Sequence, residues 1–304
     1  MVKNKWALAI IIILGLLFIG FVLAIILLIG NNQVGYTQSS VALISINGVI
    51  VTEGDALSFD SSVQSSEIVE LIEKADANPN IKGIIFEINS PGGSPVASDE
   101  IANAIKSTNK TTVAWIREVG ASGAYWIASS SDYIVANRMS ITGSIGVFAS
   151  YLDFAGILQE YNVTYERIVS GKYKDIGSPF KELTSEEKQI LQSKIDKLHR
   201  YFVEEVANNR GLPRNKVEQI STGLFYLGSE ALELGLIDEL GGKEQALRYI
   251  ERTQGVKAEI VEYKKEKTLL DVLNKLTNKN SFYIGKGIGS FLTNSDKNNL
   301  RILT

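Results

Sequence analysis

Residues 81–107 read IKGIIFEI, then NSPGGS, then PVASDEIANAIKS, and this stretch decides the fold class. The first eight residues are mostly apolar and predict a buried strand. The next six are rich in glycine, serine and proline and predict a loop. From Val96 to Ser107 the apolar residues recur at helical spacing. A buried strand that a short loop joins to a helix is the repeating unit of a parallel α/β sheet.

The same alternation of strand and helix continues on both sides of this stretch. Thr184 and Glu187 form the pattern of a capping box, which predicts a long packing helix that ends near Gly211. Further strands are predicted over residues 41–46, 112–116, 133–136 and 145–148, and a helix of small residues over 121–130. The sequence therefore predicts one α/β domain over residues 41–252 and a C-terminal extension over residues 253–304.

The N-terminal residues 6–30 carry no charged side chain. A helix of this length is about 37 Å long, which exceeds the roughly 30 Å hydrocarbon core of a bilayer. A removed signal sequence is the alternative, but its apolar part spans only about 7–15 residues. Lys3 and Lys5 precede the run, so the positive-inside rule predicts a cytoplasmic N-terminus over residues 1–5. We expect a single-pass anchor in the cell membrane, a linker over residues 31–40 and a folded domain outside the cytoplasm.

The composition excludes several kinds of active site. The chain has no cysteine, which excludes thiol catalysis, disulfides and thiolate metal sites. It has one histidine, His199, so sites that need two histidines are excluded, and its place in the predicted long helix favours a boundary position over a catalytic one. The net charge of −3 provides no basic surface for nucleic acid. We expect no metal and no other cofactor.

A serine that is activated by something other than histidine remains, and the segment Gly120-Ala-Ser-Gly-Ala-Tyr125 contains the candidate, Ser122. It stands at the predicted start of a helix between residues too small to block approach. Free N–H groups at a helix start can stabilise an oxyanion. The alternative interpretation is that Ser122 is an ordinary N-cap.

Two further segments could complete such a site. In Asn89-Ser-Pro-Gly-Gly93 the glycines let a backbone N–H face a ligand, although a simple turn has the same composition. In Ser170-Gly-Lys-Tyr-Lys-Asp175 the candidate is Lys174. A lysine acts as a general base only in its neutral form, which burial in an apolar site favours. A solvated loop lysine is the ordinary alternative.

The order of these motifs resembles that of the signal peptide peptidase A family, peptidases of the crotonase and Clp-protease superfamily. The resemblance covers about residues 41–250 and rests on four segments: Asn89-Ser-Pro-Gly-Gly93, Ala121-Ser-Gly-Ala-Tyr125, Ile141-Thr-Gly-Ser-Ile-Gly-Val147 and Ser170-Gly-Lys-Tyr-Lys-Asp175. It implies an α/β fold of repeated ββα units wound into a superhelix.

The resemblance also implies a role for each candidate residue. Ser122 would be the nucleophile and Lys174 the general base, with Lys172 as the second choice for the base. Ser144 would hydrogen-bond the lysine amine and orient it. The backbone N–H groups of Gly123 and of either Gly92 or Gly93 would form the oxyanion hole.

The function that this resemblance implies is a membrane-anchored serine endopeptidase that degrades released signal peptides through an acyl-enzyme. It further implies a ring-like homo-oligomer in which neighbouring subunits complete each other's sites. Three alternatives stay open at this point. They are a related membrane-bound Clp-like peptidase with other membrane-protein substrates, a crotonase that acts on acyl-CoA, and a non-catalytic membrane scaffold.

Overall fold

Strands and helices alternate along most of the described chain. The computed structural model describes residues 14–21, 39–53 and 62–264. The strands there are β1 (Ser40–Asn47), β2 (Val49–Val51), β3 (Ser62–Gln64), β4 (Ile81–Ser90), β5 (Thr111–Ala121), β6 (Tyr133–Ala136), β7 (Ile141–Gly143), β8 (Phe225–Leu227), β9 (Glu239–Leu240) and β10 (Glu259–Tyr263). The helices there are α1 (residues 14–21), α2 (Ser65–Ala77), α3 (Pro95–Ser107), α4 (Gly123–Ser129), α5 (Ala155–Glu160), α6 (Ser185–Arg210), α7 (Arg214–Ile220), α8 (Gly228–Leu234) and α9 (Lys243–Gln254).

A mostly parallel sheet lies at the centre of the domain. Its strands follow the order β10-β1-β4-β5-β6-β9, and each neighbouring pair is parallel. β7 pairs with β5 in parallel, and β8 pairs with β7 in antiparallel orientation. β2 and β3 form a separate parallel pair. The predicted α/β class with a parallel-rich sheet is confirmed.

Helices cover both faces of this sheet, which explains why its strands are apolar on both sides. In β1, Ala42, Ile44 and Ile46 belong to the larger core, together with side chains of α2, α3, α4 and α6. Val41 and Leu43 belong to a smaller core with side chains of α9. The two-residue period of a strand thus divides one apolar run between two cores.

The long helix α6 begins and ends where the sequence predicts. The Thr184 side chain accepts a hydrogen bond from the N–H of Glu187, and the Glu187 carboxylate accepts one from the N–H of Thr184. Gly211 ends the helix in the left-handed conformation, with φ of 60°. Phe202, near the C-terminal end, packs against Trp126 of α4 with ring centroids 5.0 Å apart. This end of α6 is therefore fixed to the larger core.

Three elements differ from the prediction. Residues 145–148 form no strand, because Ser144 has a φ of 49° that ends β7 just before them. α4 begins at Gly123 instead of residue 121, because Ala121 still belongs to β5. β10 lies beyond residue 252 and pairs with β1, so the sheet extends past the predicted end of the domain. The predicted extension beyond residue 264 lies outside the described residues.

Part of the predicted membrane anchor lies within the described residues. Residues 14–21 form α1, whose apolar side chains, such as Leu17 and Phe18, are exposed. Within residues 14–21, 39–53 and 62–264, the structure contains no helix whose length and apolar character would let it span a bilayer. The other residues of the predicted anchor, 6–13 and 22–30, lie outside the described part of the chain, as does most of the linker.

The partly buried ion pair at the end of α6 allows a test of stability. Arg210 donates to both carboxylate oxygens of Asp238, at 2.6 and 3.0 Å, and to the carbonyl oxygen of Gly235. We expect Arg210→Ala to lower the free energy of unfolding by about 2 kcal/mol, because the partly buried Asp238 carboxylate loses its charged partner and keeps the N–H of Ile134. Urea unfolding measures the change. Arg214→Ala is the control, because its exposed ion pairs contribute at most about 1 kcal/mol. Equal losses in the two variants would contradict the prediction.

The capping carboxylate of α6 gives a prediction for the pH dependence of stability. The Lys181 ammonium, 2.6 Å away, and the N–H of Thr184 lower the pKa of Glu187. A lowered pKa stabilises the folded state above the unfolded pKa, and this contribution is lost as the pH falls through the folded value. We expect Glu187→Gln to be less stable than the parent at pH 7, with the difference shrinking below about pH 4. A difference that stays constant in urea unfolding from pH 7 to pH 3 would refute this.

Candidate active site

Four of the predicted site residues lie on loops that follow the carboxyl ends of three parallel strands. Gly92 and Gly93 follow β4, Ser122 follows β5 and Ser144 follows β7. Because β4, β5 and β7 are neighbours in the sheet, their carboxyl ends meet at one edge. These four residues line one open cavity of about 840 Å³, whose opposite wall is α6. The fold thus brings together residues that lie up to 52 positions apart in the sequence.

Ser122 has a strained backbone. Its φ of 54° and ψ of −126° lie in a region that costs a non-glycine residue on the order of 1–3 kcal/mol. The conformation is held because the Ser122 N–H donates to the carbonyl oxygen of Gly143, and its own carbonyl accepts from the N–H groups of Tyr125 and Trp126. The side chain makes no capping hydrogen bond. Ser122 therefore occupies the N-cap position of α4, as the alternative interpretation expects, but its hydroxyl does not cap the helix.

Two backbone N–H groups beside Ser122 are available for a ligand. The N–H of Gly92 donates to Ser90 Oγ at 3.1 Å, whereas the N–H of Gly93 has no acceptor within the described residues. Gly123 is the first residue of α4, and such N–H groups lack a partner within the helix. A Cβ atom on Gly123 would lie 3.4 Å from the nitrogen of Gly93, so the two residues are adjacent. Of the two glycines that the sequence left open, the geometry favours Gly93.

Ser144 lies on the same cavity in a second left-handed conformation. Its N–H donates to the carbonyl oxygen of Leu224 at 3.0 Å, and its hydroxyl donates to the carbonyl oxygen of Gly223 at 3.2 Å. The hydroxyl oxygen keeps its lone pairs for a donor that enters the cavity. An amine is such a donor.

A smaller apolar pocket adjoins Ser122. Its volume is about 120 Å³, and its apolar lining includes Trp126, Val147, Phe148, Leu198 and Phe202. Ser122 and Gly93 line this pocket as well as the larger cavity. The pocket can receive one apolar side chain of a peptide whose carbonyl group lies at the serine.

Lys174 is not part of this cavity within one chain. It lies in a series of turns between residue 170 and α6, and its side chain is exposed. No hydrogen bond or ion pair joins its amine to any residue of the described chain. The structure therefore places the two serines and the glycines around one cavity, whereas Lys174, the predicted base, lies outside that cavity.

Lys172, the second choice for the base, is held in its charged form. Its amine donates to the Glu186 carboxylate at 2.6 Å and lies 4.9 Å from the centre of the Tyr173 ring. The hydrogen bond to Glu186 raises the pKa of Lys172 well above its ordinary value. A lysine that stays protonated cannot accept a proton, so the structure argues against Lys172 as the base.

The sequence did not predict that α6 would line the cavity. Gln192, Ile195, Asp196 and His199 lie on this wall, and their spacing of three or four residues places them on one face of the helix. His199 Nε2 lies 3.0 Å from the carbonyl oxygen of Ser221. A carbonyl oxygen only accepts, so this contact requires the tautomer with a proton on Nε2, and in that tautomer Nε2 cannot take a proton from Ser122. The helical spacing of these four residues can be read from the sequence. The sequence does not show that this face of α6 lies against the cavity.

Comparisons with known proteins agree with this geometry. The family model described as peptidase family S49 matches residues 104–257. The chain is 36% identical to a "Putative protease" of Methanocaldococcus jannaschii over 82% of this chain and 81% of that protein. It is 32% identical to a "Putative signal peptide peptidase SppA" of Enterococcus faecium, over 73% of this chain and 66% of that one. It is 29% identical to "Serine protease SPPA, chloroplastic" of Arabidopsis thaliana, of which it spans 33%.

The family model covers β5 and β7, which precede Ser122 and Ser144, and the segment that contains Lys174, and it begins after Gly93. The chain spans about two thirds of the enterococcal protein and one third of the plant protein. The cavity that Ser122 lines and the matches lead to one conclusion. The chain belongs to peptidase family S49 and is a serine peptidase of the signal peptide peptidase A family.

Proposed function

We propose that this serine peptidase is a membrane-anchored endopeptidase that degrades released signal peptides through a Ser122/Lys174 dyad. The observation that carries the proposal is the position of Ser122, which has a strained backbone, lines an open cavity and lies beside the free N–H groups of Gly93 and Gly123. This arrangement presents a nucleophile and two donors to the same carbonyl group.

The chemistry follows from these positions. The neutral amine of Lys174 takes the hydroxyl proton as Ser122 Oγ attacks the peptide carbonyl carbon. The N–H groups of Gly93 and Gly123 stabilise the resulting oxyanion. The lysine then gives its proton to the leaving amine, and an acyl-enzyme remains on Ser122. Water, deprotonated by the same lysine, hydrolyses that ester.

The Lys174 that serves each cavity comes, in this proposal, from a neighbouring copy of the chain. Within one chain its amine is exposed and away from the cavity. The segment that leads to it exposes large apolar side chains, including Phe148 at 87%, Leu152 at 70% and Ile168 at 97%. Such a concentration of exposed apolar surface marks an interface. A homo-oligomer that buries this surface would exclude water from the lysine and favour its neutral form. Ser144 would accept a hydrogen bond from the arriving amine and orient it.

Two apolar features support the proposed substrate and the proposed membrane location: the uncharged N-terminal segment and the pocket beside Ser122. Residues 6–30 carry no charge and form the proposed anchor, with residues 1–5 in the cytoplasm and the catalytic domain outside. A hydrophobic peptide that remains in the bilayer meets a tethered enzyme at high local concentration. The pocket of about 120 Å³ beside Ser122 suits an apolar side chain of such a peptide. The parallel sheet and its oxyanion loops also fit a crotonase and Clp-protease type of fold with ββα repeats.

The dyad is tested with the full chain in detergent and a synthetic signal peptide. We expect Ser122→Ala and Lys174→Ala each to reduce turnover by at least about 10³-fold, because each removes one partner of the proton transfer. Lys188→Ala is a matched control, since this exposed lysine lies at the start of α6. Turnover in Lys174→Ala equal to that in the control would reject Lys174 as the base.

Sharing of the site between copies is tested with mixed oligomers. Ser122→Ala and Lys174→Ala chains, each inactive alone, are co-expressed with different tags and isolated together. If the lysine comes from a neighbour, random assembly restores about a quarter of the parental activity, because one site in four combines both intact residues. If each chain uses its own lysine, no site is intact and the mixture stays inactive. Inactivity of a mixture that carries both tags would therefore reject a shared site.

A further inference from the structure

The loop that contains Lys174 has few apolar anchors. Successive turns form its backbone, in which the N–H groups of Lys174, Ile176 and Ser178 donate to the carbonyl oxygens of Gly171, Tyr173 and Asp175. The residues from 170 to 174 are all exposed. Burial therefore does not fix the direction in which Lys174 points, and polar contacts have to do so.

On the N-terminal side of Lys174, one carboxylate holds two consecutive side chains. Glu186 accepts a hydrogen bond from Lys172 Nζ at 2.6 Å and another from the hydroxyl of Tyr173. The Lys172 amine also lies against the Tyr173 ring. The bond from Lys172 lowers the pKa of Glu186, which keeps the carboxylate charged. Glu186 lies in the first turn of α6, where the helix dipole favours a negative charge.

On the C-terminal side of Lys174, a second set of charges holds Asp175. The Arg167 guanidinium donates to both oxygens of Asp175 and, at 3.3 Å, to the carbonyl oxygen of Lys172. Lys181 lies 3.9 Å from Asp175. Both neighbours of Lys174 are thus fixed, while its own amine makes no contact with the described chain.

We propose that Glu186 is a positioning residue that fixes the Lys174 loop on α6, so that the Lys174 amine is presented to the serine that it serves. This inference rests on the proposed role of Lys174 as the base. Glu186 supplies the link to a rigid element, because α6 is continuous for 26 residues and its far end packs in the core. Arg167 and Asp175 belong to the loop region itself and reach α6 indirectly, through Lys181, which lies 3.9 Å from Asp175 and donates to Glu187.

Glu186 also prevents the Lys172 amine from acting as the base in place of Lys174. Lys172 lies two residues from Lys174 and differs from it in having this carboxylate as a partner. Without Glu186, Lys172 would be released and the loop would lose both contacts on that side. The expected consequence is a slower proton transfer with little change in peptide binding, because the cavity around Ser122 contains neither Glu186 nor Lys172.

The first test is kinetic and uses the full chain in detergent. We expect Glu186→Ala to lower kcat by about tenfold or more, with KM within about twofold, because a small misplacement of a catalytic group is costly. Glu186→Gln keeps an acceptor oxygen and should fall between the parent and Glu186→Ala. Glu182→Ala is the matched control, since this exposed glutamate lies four residues away and makes no hydrogen bond or ion pair in the described chain.

The second test asks on which chain Glu186 acts. In the mixed oligomer, Glu186→Ala is placed either on the Ser122→Ala chain, which donates Lys174, or on the Lys174→Ala chain, which donates Ser122. A positioning role predicts loss of activity only in the first case. Equal loss in both cases would show a merely structural role and overturn the proposal.

The two proposals fail in different ways. A kcat of Glu186→Ala equal to that of Glu182→Ala, beside an inactive Lys174→Ala, rejects the positioning role and leaves the dyad standing. Full activity of Lys174→Ala rejects the dyad and, with it, this role of Glu186. If the mixed oligomer is inactive, the kinetic comparison alone decides whether Glu186 acts through Lys174 of its own chain.

Discussion

The contact between the turns that end β4 and β5 is the constraint on which the candidate site depends. A Cβ atom on Gly92 would lie 2.8 Å from the carbonyl oxygen of Ala121 and 2.9 Å from the Cβ of Ser122, and one on Gly93 would collide with the carbonyl oxygen of Ile50. Glycine at these positions therefore lets two backbones approach more closely than side chains would allow. The free N–H groups of Gly93 and Gly123 and the hydroxyl of Ser122 meet because of that approach.

The strain at Ser122 is supported by the core directly behind it. Every residue of α4 is buried, and the Tyr125 hydroxyl donates to the carbonyl oxygen of Leu236 at 2.8 Å. Burial raises the pKa of Tyr125, so this hydroxyl keeps its proton and remains a donor. A packed interior resists small displacements. The serine and its two N–H groups are therefore held rigidly before any substrate arrives.

The two halves of the proposed dyad are held by different forces. Ser122 depends on apolar packing and a parallel sheet, whereas the Lys174 loop depends on ion pairs of Glu186, Asp175 and Arg167 at the surface. Surface ion pairs are weak one by one and sensitive to salt. Assembly of several chains would shield them and bury the apolar side chains of the same segment. In the proposed assembly, one chain forms the serine side of the site, and the lysine stays exposed until chains associate.

The sequence by itself determined the local features of this protein. The apolar run of β4, the capping box of α6 and the motifs around Ser122 are patterns of neighbouring residues, and the structure and the family matches agree with them. It could not predict that Gly93 has the free N–H, that His199 and Asp196 line the cavity, or that β10 pairs with β1. Those facts join residues far apart in the chain, and a local pattern carries no information on which distant backbone will be the partner. Only the tertiary structure decided them, because strand pairing and the direction of each loop follow from packing of the whole domain.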